Sequence, residues 1–284
     1  MKSEKLFQYF LKSGGILILM MAVGIVVTLV MGSLPAFKEF GLGFIFSSEW
    51  NPTEGRESYG ALPFIIGTIV TSILALLMTF PFAFSIALFL GEYFKEGRMA
   101  SILKSMIDLL AGIPSVVYGL WGFYTIKPLV VEMGLSAQGF GIFTSSFVLA
   151  IMIIPYASSL SAEVISMVPS SLKEAAYSLG ATRYEVVKNV IIPNAGSGIS
   201  AGFILAFGRA IGETMAVTML IGNSNEIPTH LFDIGNTMAS LIANQFGEAE
   251  GLKYTSLVAM GLLLFVITGI LNLLGKMIMN KLRS

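Results

Sequence analysis

Cysteine is absent from the 284 residues, and His230 is the sole histidine. The first absence removes disulfides, thiol nucleophiles and thiolate metal sites together, and the second rules out a histidine-based metal cluster. Charge is scarce as well. Asp, Glu, Lys and Arg make up 12% of the chain, where an ordinary soluble domain carries about 25%. That leaves too little polar surface to cover a water-facing globule, which excludes a soluble enzyme and a disordered chain. Seventeen basic residues balance seventeen acidic ones, so no basic excess points to nucleic acid as a partner. What the chain has in quantity is apolar side chains, 55% of its residues. The partner this composition requires is a lipid bilayer.

A helix needs about 20 mostly apolar residues to cross the hydrocarbon core. Charge-free stretches run over 13–37, 58–91, 109–126, 133–162 and 254–275, and a further apolar region, 189–225, is interrupted only by Arg209 and Glu213. These predict six spans near 14–34, 62–90, 108–127, 139–162, 195–221 and 254–275. Strand-type alternation is missing, which disfavours a β-barrel. The first apolar run is longer than the core of a secretion signal and no small-x-small cleavage site follows it, so it is read as retained. Twelve Lys and Arg fall in the N-terminus, the loops 91–108 and 163–193 and the C-terminal tail 276–284, against four in the opposite loops. The positive-inside rule then places both termini in the cytoplasm. Within 1–13, Leu6, Phe7, Phe10 and Leu11 recur at helical spacing opposite lysines, which fits an amphipathic helix lying in the interface, with a frayed tail as the alternative. The outer loop 35–61 reads as solvated with Trp50 as an interfacial anchor, and His230 as a plain residue of the outer loop 222–253.

The cytoplasmic loop 163–193 is richer in structural signals than a linker needs. Ser171-Leu172-Lys173-Glu174 has capping-box spacing, Gly180 sits where a left-handed cap would end a short helix, and Thr182-Arg183-Tyr184-Glu185 repeats the box. Pro193 is expected to stop or kink the second helix as the chain re-enters the membrane. The spacing of Glu174-Ala175-Ala176, Gly180 and Val190-Ile191-Ile192-Pro193 resembles the EAA motif of bacterial ABC importer permeases, E-A-A-x3-G-x9-I-x-L-P, with Val190 and Ile192 as apolar departures. The resemblance implies an all-α, polytopic fold of the type I (MetI-like) importer permeases, with a core over 62–275. It also implies that Glu174, Ala175, Ala176, Gly180 and Arg183 belong to a coupling helix docked on a separate ATPase. No G-x-x-x-x-G-K-[ST] phosphate loop occurs here. No cofactor is expected on this chain, and ATP would be bound by the partner.

Arg209 and Glu213 are four residues apart in the fifth predicted span, and so on one face of a continuous helix. A charge at the bilayer centre costs about 2.5–3.5 kcal/mol on insertion scales, so such residues face protein or a water-filled path. Gly198, Gly202 and Gly212 lie within about 60° of Arg209 at about 100° per residue, and Gly198-x-x-x-Gly202 and Gly208-x-x-x-Gly212 are spaced for close helix approach. Two readings stand on these residues: an internal ion pair that fixes packing, or a guanidinium that meets an anion. The stretch Phe207-Gly208-Arg209-Ala210-Ile211-Gly212-Glu213-Thr214-Met215-Ala216-Val217-Thr218 resembles the fifth helix of phosphate-specific ABC permeases. Ala111-Gly112-Ile113-Pro114-Ser115-Val116-Val117-Tyr118-Gly119 is similar to their third-helix segment, and Ser48-Glu49-Trp50-Asn51-Pro52 and Gly60-Ala61-Leu62-Pro63-Phe64 resemble their C-type subunits. The resemblance spans about 5–280. It implies a non-enzymatic subunit of a phosphate importer in the bacterial inner membrane, with Arg209 and Glu213 in the substrate path. Its partners would be a homologous A-type permease, two ATPase copies and an extracytoplasmic phosphate-binding protein. The alternatives are a permease for molybdate, sulfate or an organic solute, or an anion channel. An intramembrane enzyme lacks a nucleophile and base.

Overall fold

In lipid every backbone polar group must be satisfied within its own segment, so long apolar runs fold as helices. The computed structural model describes residues 2–53 and 55–283, with side chains from 7 to 277 among them. Helix α1 is Lys2–Phe40. Helix α2 (Leu62–Leu88) is prolonged by a π-helical turn, Phe89–Tyr93. Helices α3 (Arg98–Gly112) and α4 (Ser115–Glu132) meet at 96°, and α5 is Ile142–Ser166. The short α6 (Ser170–Ser178) precedes α7 (Arg183–Ile211), which holds a π turn at Val187–Ile191. Three helices follow: α8 (Met215–Thr218), α9 (Met238–Gln245) and α10 (Gly251–Arg283). Among the described residues five helices are long and apolar enough to cross a membrane, and the bent α3–α4 pair makes a sixth.

Four boundaries differ from the sequence reading. Residues 2–13 form no separate interfacial helix but run unbroken into α1; the side chains of Lys2, Lys5, Leu6, Lys281 and Arg283 lie outside the described residues. The predicted span 108–127 is broken at Ile113–Pro114, because Pro114 has no N–H to continue the ladder and holds the residue before it extended, with Ile113 at ψ 127°. The predicted span 195–221 ends at Ile211. Pro193 does not stop α7. The π turn just ahead of it widens the helix, and Ile192 N–H bonds the Val187 carbonyl instead of the usual partner.

Helices α2, α5 and α7 form the centre. Apolar burial gives little drive between helices in lipid, so close approach and interhelical hydrogen bonds hold them. Ala75, Ala83 and Ala87 of α2, Ala157 of α5 and Ala195 and Ala206 of α7 are wholly buried. Thr79 Oγ1 donates across to the Ala150 carbonyl at 3.1 Å, and Ser146 Oγ to that of Thr71 at 3.1 Å. The Gly198–Gly202 pair is a true crossing: a Cβ at Gly198 would strike Val164, and one at Gly202 would lie 2.9 Å from Ser161 Oγ. Gly198→Val is therefore expected to destabilise the bundle by about 1–3 kcal/mol. A lower thermal midpoint and membrane yield would read this out. Gly196→Ala, whose Cβ meets nothing within 4 Å, should leave both unchanged or raised.

A second core closes one end of the bundle, and Trp50 lies buried inside it. Its ring meets Tyr59 and Phe64 edge-on with centroids at 4.9 and 5.2 Å, and its Nε1 donates to Gln245 Oε1 at 3.2 Å. The expected loop 35–61 is thus folded: α1 runs on to Phe40, and beyond it β1 (Trp50–Asn51) pairs with β2 (Ser58–Tyr59). The loop 222–253 is folded too. Its carbonyls at Leu231 and Asp233 accept from Phe143 and Ile142 N–H, capping α5. His230 takes part here: its backbone N–H, followed by Thr229, holds the Asp233 carboxyl down at about 2.

Candidate functional site

Helix α7 carries Arg209 in its last turn and then stops at Gly212. Glu213 and Thr214 bridge to the single helical turn α8, and Glu213 Oε1 accepts the Ala216 N–H at 3.2 Å. The carboxylate therefore faces the positive end of α8, which offsets part of its burial cost. Because the helix breaks between them, Arg209 and Glu213 do not share a helical face, and among the described residues no ion pair forms at Arg209. Its guanidinium stacks instead on Tyr156 of α5, 4.4 Å from the ring centroid, and its Nε is buried with no hydrogen-bond partner.

What joins the two charges is space. A cavity of about 550 Å³ is lined by Tyr156, Gly208, Arg209, Gly212, Glu213 and Asn272, with Leu205 and Thr268 completing the wall. Gly208 and Gly212 are no tight crossing: a Cβ at Gly208 would lie 3.5 Å from Asn272 Oδ1, and one at Gly212 would meet only its own helix's carbonyls. Their lack of side chains keeps the wall open. Tyr156 and Asn272 were not singled out from sequence. The visible signal for Asn272 is an amide inside the charge-free stretch 254–275, a residue type that needs a polar neighbour in lipid.

The loop 163–193 folds as two short helical pieces. The first predicted capping box does not form, because Pro169 occupies the N-cap position and starts α6 at Ser170, which leaves Ser171 inside the helix. The second box is complete: Thr182 N–H donates to Glu185 Oε2 at 2.7 Å, and Glu185 N–H to Thr182 Oγ1 at 3.4 Å. Gly180 adopts φ +84°. Gly180 N–H bonds the Tyr177 carbonyl and Ala181 N–H that of Ala176, the paired bonds of a Schellman cap.

This loop is bolted to the end of α2. Lys173 Nζ lies 2.5 Å from Glu92 Oε2, both side chains nearly buried, and Lys95 shares the same carboxylate at 3.5 Å. Burial, reinforced by the neighbouring Lys173 ammonium, holds Lys95 below its ordinary range. Arg183 stacks on Tyr93, 4.1 Å from the ring centroid, and donates to its carbonyl. Glu174 and Ala175 point outward, beside an apolar crest of Leu172, Tyr177, Leu179 and Tyr184, with Leu179 90% exposed. Among the sequence-predicted coupling residues, Ala176 packs toward the core, Arg183 reaches α2, and the rest lie on the free face.

Residues 83–284 match the model of the binding-protein-dependent transport system inner membrane component family. The chain is 43% identical over 94% of its length to the phosphate transport system permease protein PstC of Mesorhizobium japonicum, covering 86% of that protein. It is 39% identical to the PstC of Haemophilus influenzae, over 99% of this chain and 94% of that one. The fold is similar to an inward-facing conformation of the MetNI methionine ABC transporter, with a TM-score of 0.62 at 15% identity, over 77% of this chain and 94% of that one. With six spans, a type I importer permease fold and this degree of likeness, the chain belongs to the family of binding-protein-dependent transport system inner membrane components, in its PstC branch.

Proposed function

We propose that this chain is one half of the phosphate path of an ATP-driven importer in the bacterial inner membrane. The observation that carries the reading is the unpaired guanidinium of Arg209 opening on a cavity that also holds the Glu213 carboxylate. Guanidinium is always charged and matches an oxyanion with two parallel hydrogen bonds. Phosphate still carries a proton near neutral pH, and Glu213 can accept that O–H, which sulfate and molybdate do not offer. The relatives named as phosphate permeases point the same way.

The remaining parts follow from the loop at the basic end. Its exposed apolar crest of Leu172, Tyr177, Leu179 and Tyr184 fits a face covered by another protein. We assign that cover to an ATPase subunit, with Glu174, Ala175, Ala176, Gly180 and Arg183 in or under the contact and both termini of this chain on the same cytoplasmic side. The assembly is completed by a homologous A-type permease, two ATPase copies and an outer phosphate-binding protein. ATP binding closes the ATPase pair and opens the membrane halves outward to receive the anion, and hydrolysis resets the inward-facing state. ATP chemistry thus belongs to the partner, and this chain is no enzyme.

Uptake of labelled phosphate by cells carrying this chain with its partners tests the assignment. An excess of sulfate or molybdate is expected to leave uptake unchanged, and ATP depletion to stop uphill accumulation. Competition by either anion would give the path to a different oxyanion, and uptake indifferent to ATP would make it a channel.

A further inference from the structure

We propose that Tyr156 positions Arg209 and links the anion cavity to the bend between α3 and α4. The inference rests on the phosphate-path reading and extends it to a residue outside the two charges.

Two observations meet on this one side chain. Its ring face carries the Arg209 guanidinium at 4.4 Å from the centroid, and its hydroxyl donates to the Ala111 carbonyl at 3.2 Å. Ala111 lies in the last turn of α3, where the helical ladder runs out at Pro114 and Leu110 keeps only the Ile113 N–H at 3.3 Å. The other hydroxyl serving that turn comes from Tyr118, which donates to the Leu110 carbonyl at 2.9 Å. The 96° bend is thus held by two tyrosines, and only Tyr156 also touches the cavity.

A tyrosine ring and its hydroxyl move as one rigid body, with two rotatable bonds between them and the backbone. With no carboxylate paired to Arg209 among the described residues, the ring face at 4.4 Å is the guanidinium's direct electrostatic contact. An anion entering the cavity competes for that cation. As Arg209 turns toward the anion, the ring loses its charge partner and its hydroxyl is freed to shift against Ala111. Occupancy of the cavity is thereby felt at the bent α3–α4 pair.

Two substitutions separate the ring from the hydroxyl. Tyr156→Phe keeps the platform and drops the hydrogen bond, whereas Tyr156→Leu drops both. In the complete transporter reconstituted in vesicles, Tyr156→Leu is expected to raise the KM for phosphate about tenfold. Tyr156→Phe is expected to hold KM within about twofold while raising the ATP consumed per phosphate imported about threefold. A wild-type KM for the leucine variant would overturn the positioning role, and a wild-type ATP-to-phosphate ratio for the phenylalanine variant would overturn the link to the bend. Should the leucine variant fail to assemble, the phenylalanine variant decides alone through that ratio. Arg209→Gln measured in parallel tells the two levels apart: normal uptake there removes the phosphate path and this inference with it. Lost uptake there beside two wild-type tyrosine variants removes only the tyrosine.

Discussion

Arg209→Gln is expected to lower phosphate uptake about 100-fold or more, while the protein still reaches the membrane and copurifies with its ATPase. Removing one member of a desolvated charge contact with a ligand costs about 2–5 kcal/mol. Ordinarily such a change also unsettles the fold, because the abandoned partner is left charged and buried. Here that penalty is reduced: Glu213 is 7% exposed but has its own donor in the Ala216 N–H, and Tyr156 is neutral. Removing the charge even relieves the cost of holding a cation in the bilayer. Function and assembly should therefore part company, and a variant that transported normally would sink the pathway. Arg209→Lys keeps the charge without the planar fork, so it is expected to retain only about a tenth of the uptake. Glu213→Gln keeps an oxygen for Ala216 but loses the proton-accepting charge. Its expected mark is weaker discrimination between phosphate and sulfate.

Reversing the ion pair under the loop 163–193 should have the second largest effect. Glu92→Lys or Lys173→Glu alone would set like charges against each other where Lys173 is only 7% exposed, a loss of about 3–5 kcal/mol. Either single change is expected to cut ATP-driven uptake at least about tenfold, because α6 would no longer be held to the end of α2. The double exchange should recover much of it. Recovery will be partial, since Lys95 also contacts Glu92 at 3.5 Å and would then face a lysine. Uptake in the double variant no better than in the worse single one would show that the pair transmits nothing and that the loop acts through other contacts.

The spans were readable because an apolar run of sufficient length has few other fates, and the folded character of the loop 163–193 because its turn and cap residues fall at fixed offsets. Gly180 and the Thr182 box were correctly legible for the same reason: a left-handed cap and a capping box are decided by residues within a turn of each other. The first box failed on an equally local rule, since Pro169 claims the N-cap one residue before the serines could. The Arg209–Glu213 geometry was misread by treating 195–221 as one helix. The contrary signal was present, as Gly212 precedes Glu213 and a carboxylate three residues ahead of Ala216 has the spacing of a cap. By contrast, nothing local announces that Glu92 meets Lys173 across 81 residues, or that Tyr156 lies beneath Arg209. Those contacts exist only once α2, α5 and α7 have packed.

The π turn at Val187–Ile191 makes the aim of Arg209 a matter of residue counting. A π turn stores one residue more than an α turn over nearly the same rise, so losing one residue there lets Ile192 bond Val187 through an ordinary α turn and leaves the rest of the rod facing as before. The same deletion a few positions later, between Gly198 and Phe207, would swing everything beyond it by about 100° and turn the cation away from Tyr156 and the cavity. A one-residue deletion within Val187–Ile191 is therefore expected to preserve phosphate uptake, and one between Gly198 and Phe207 to abolish it.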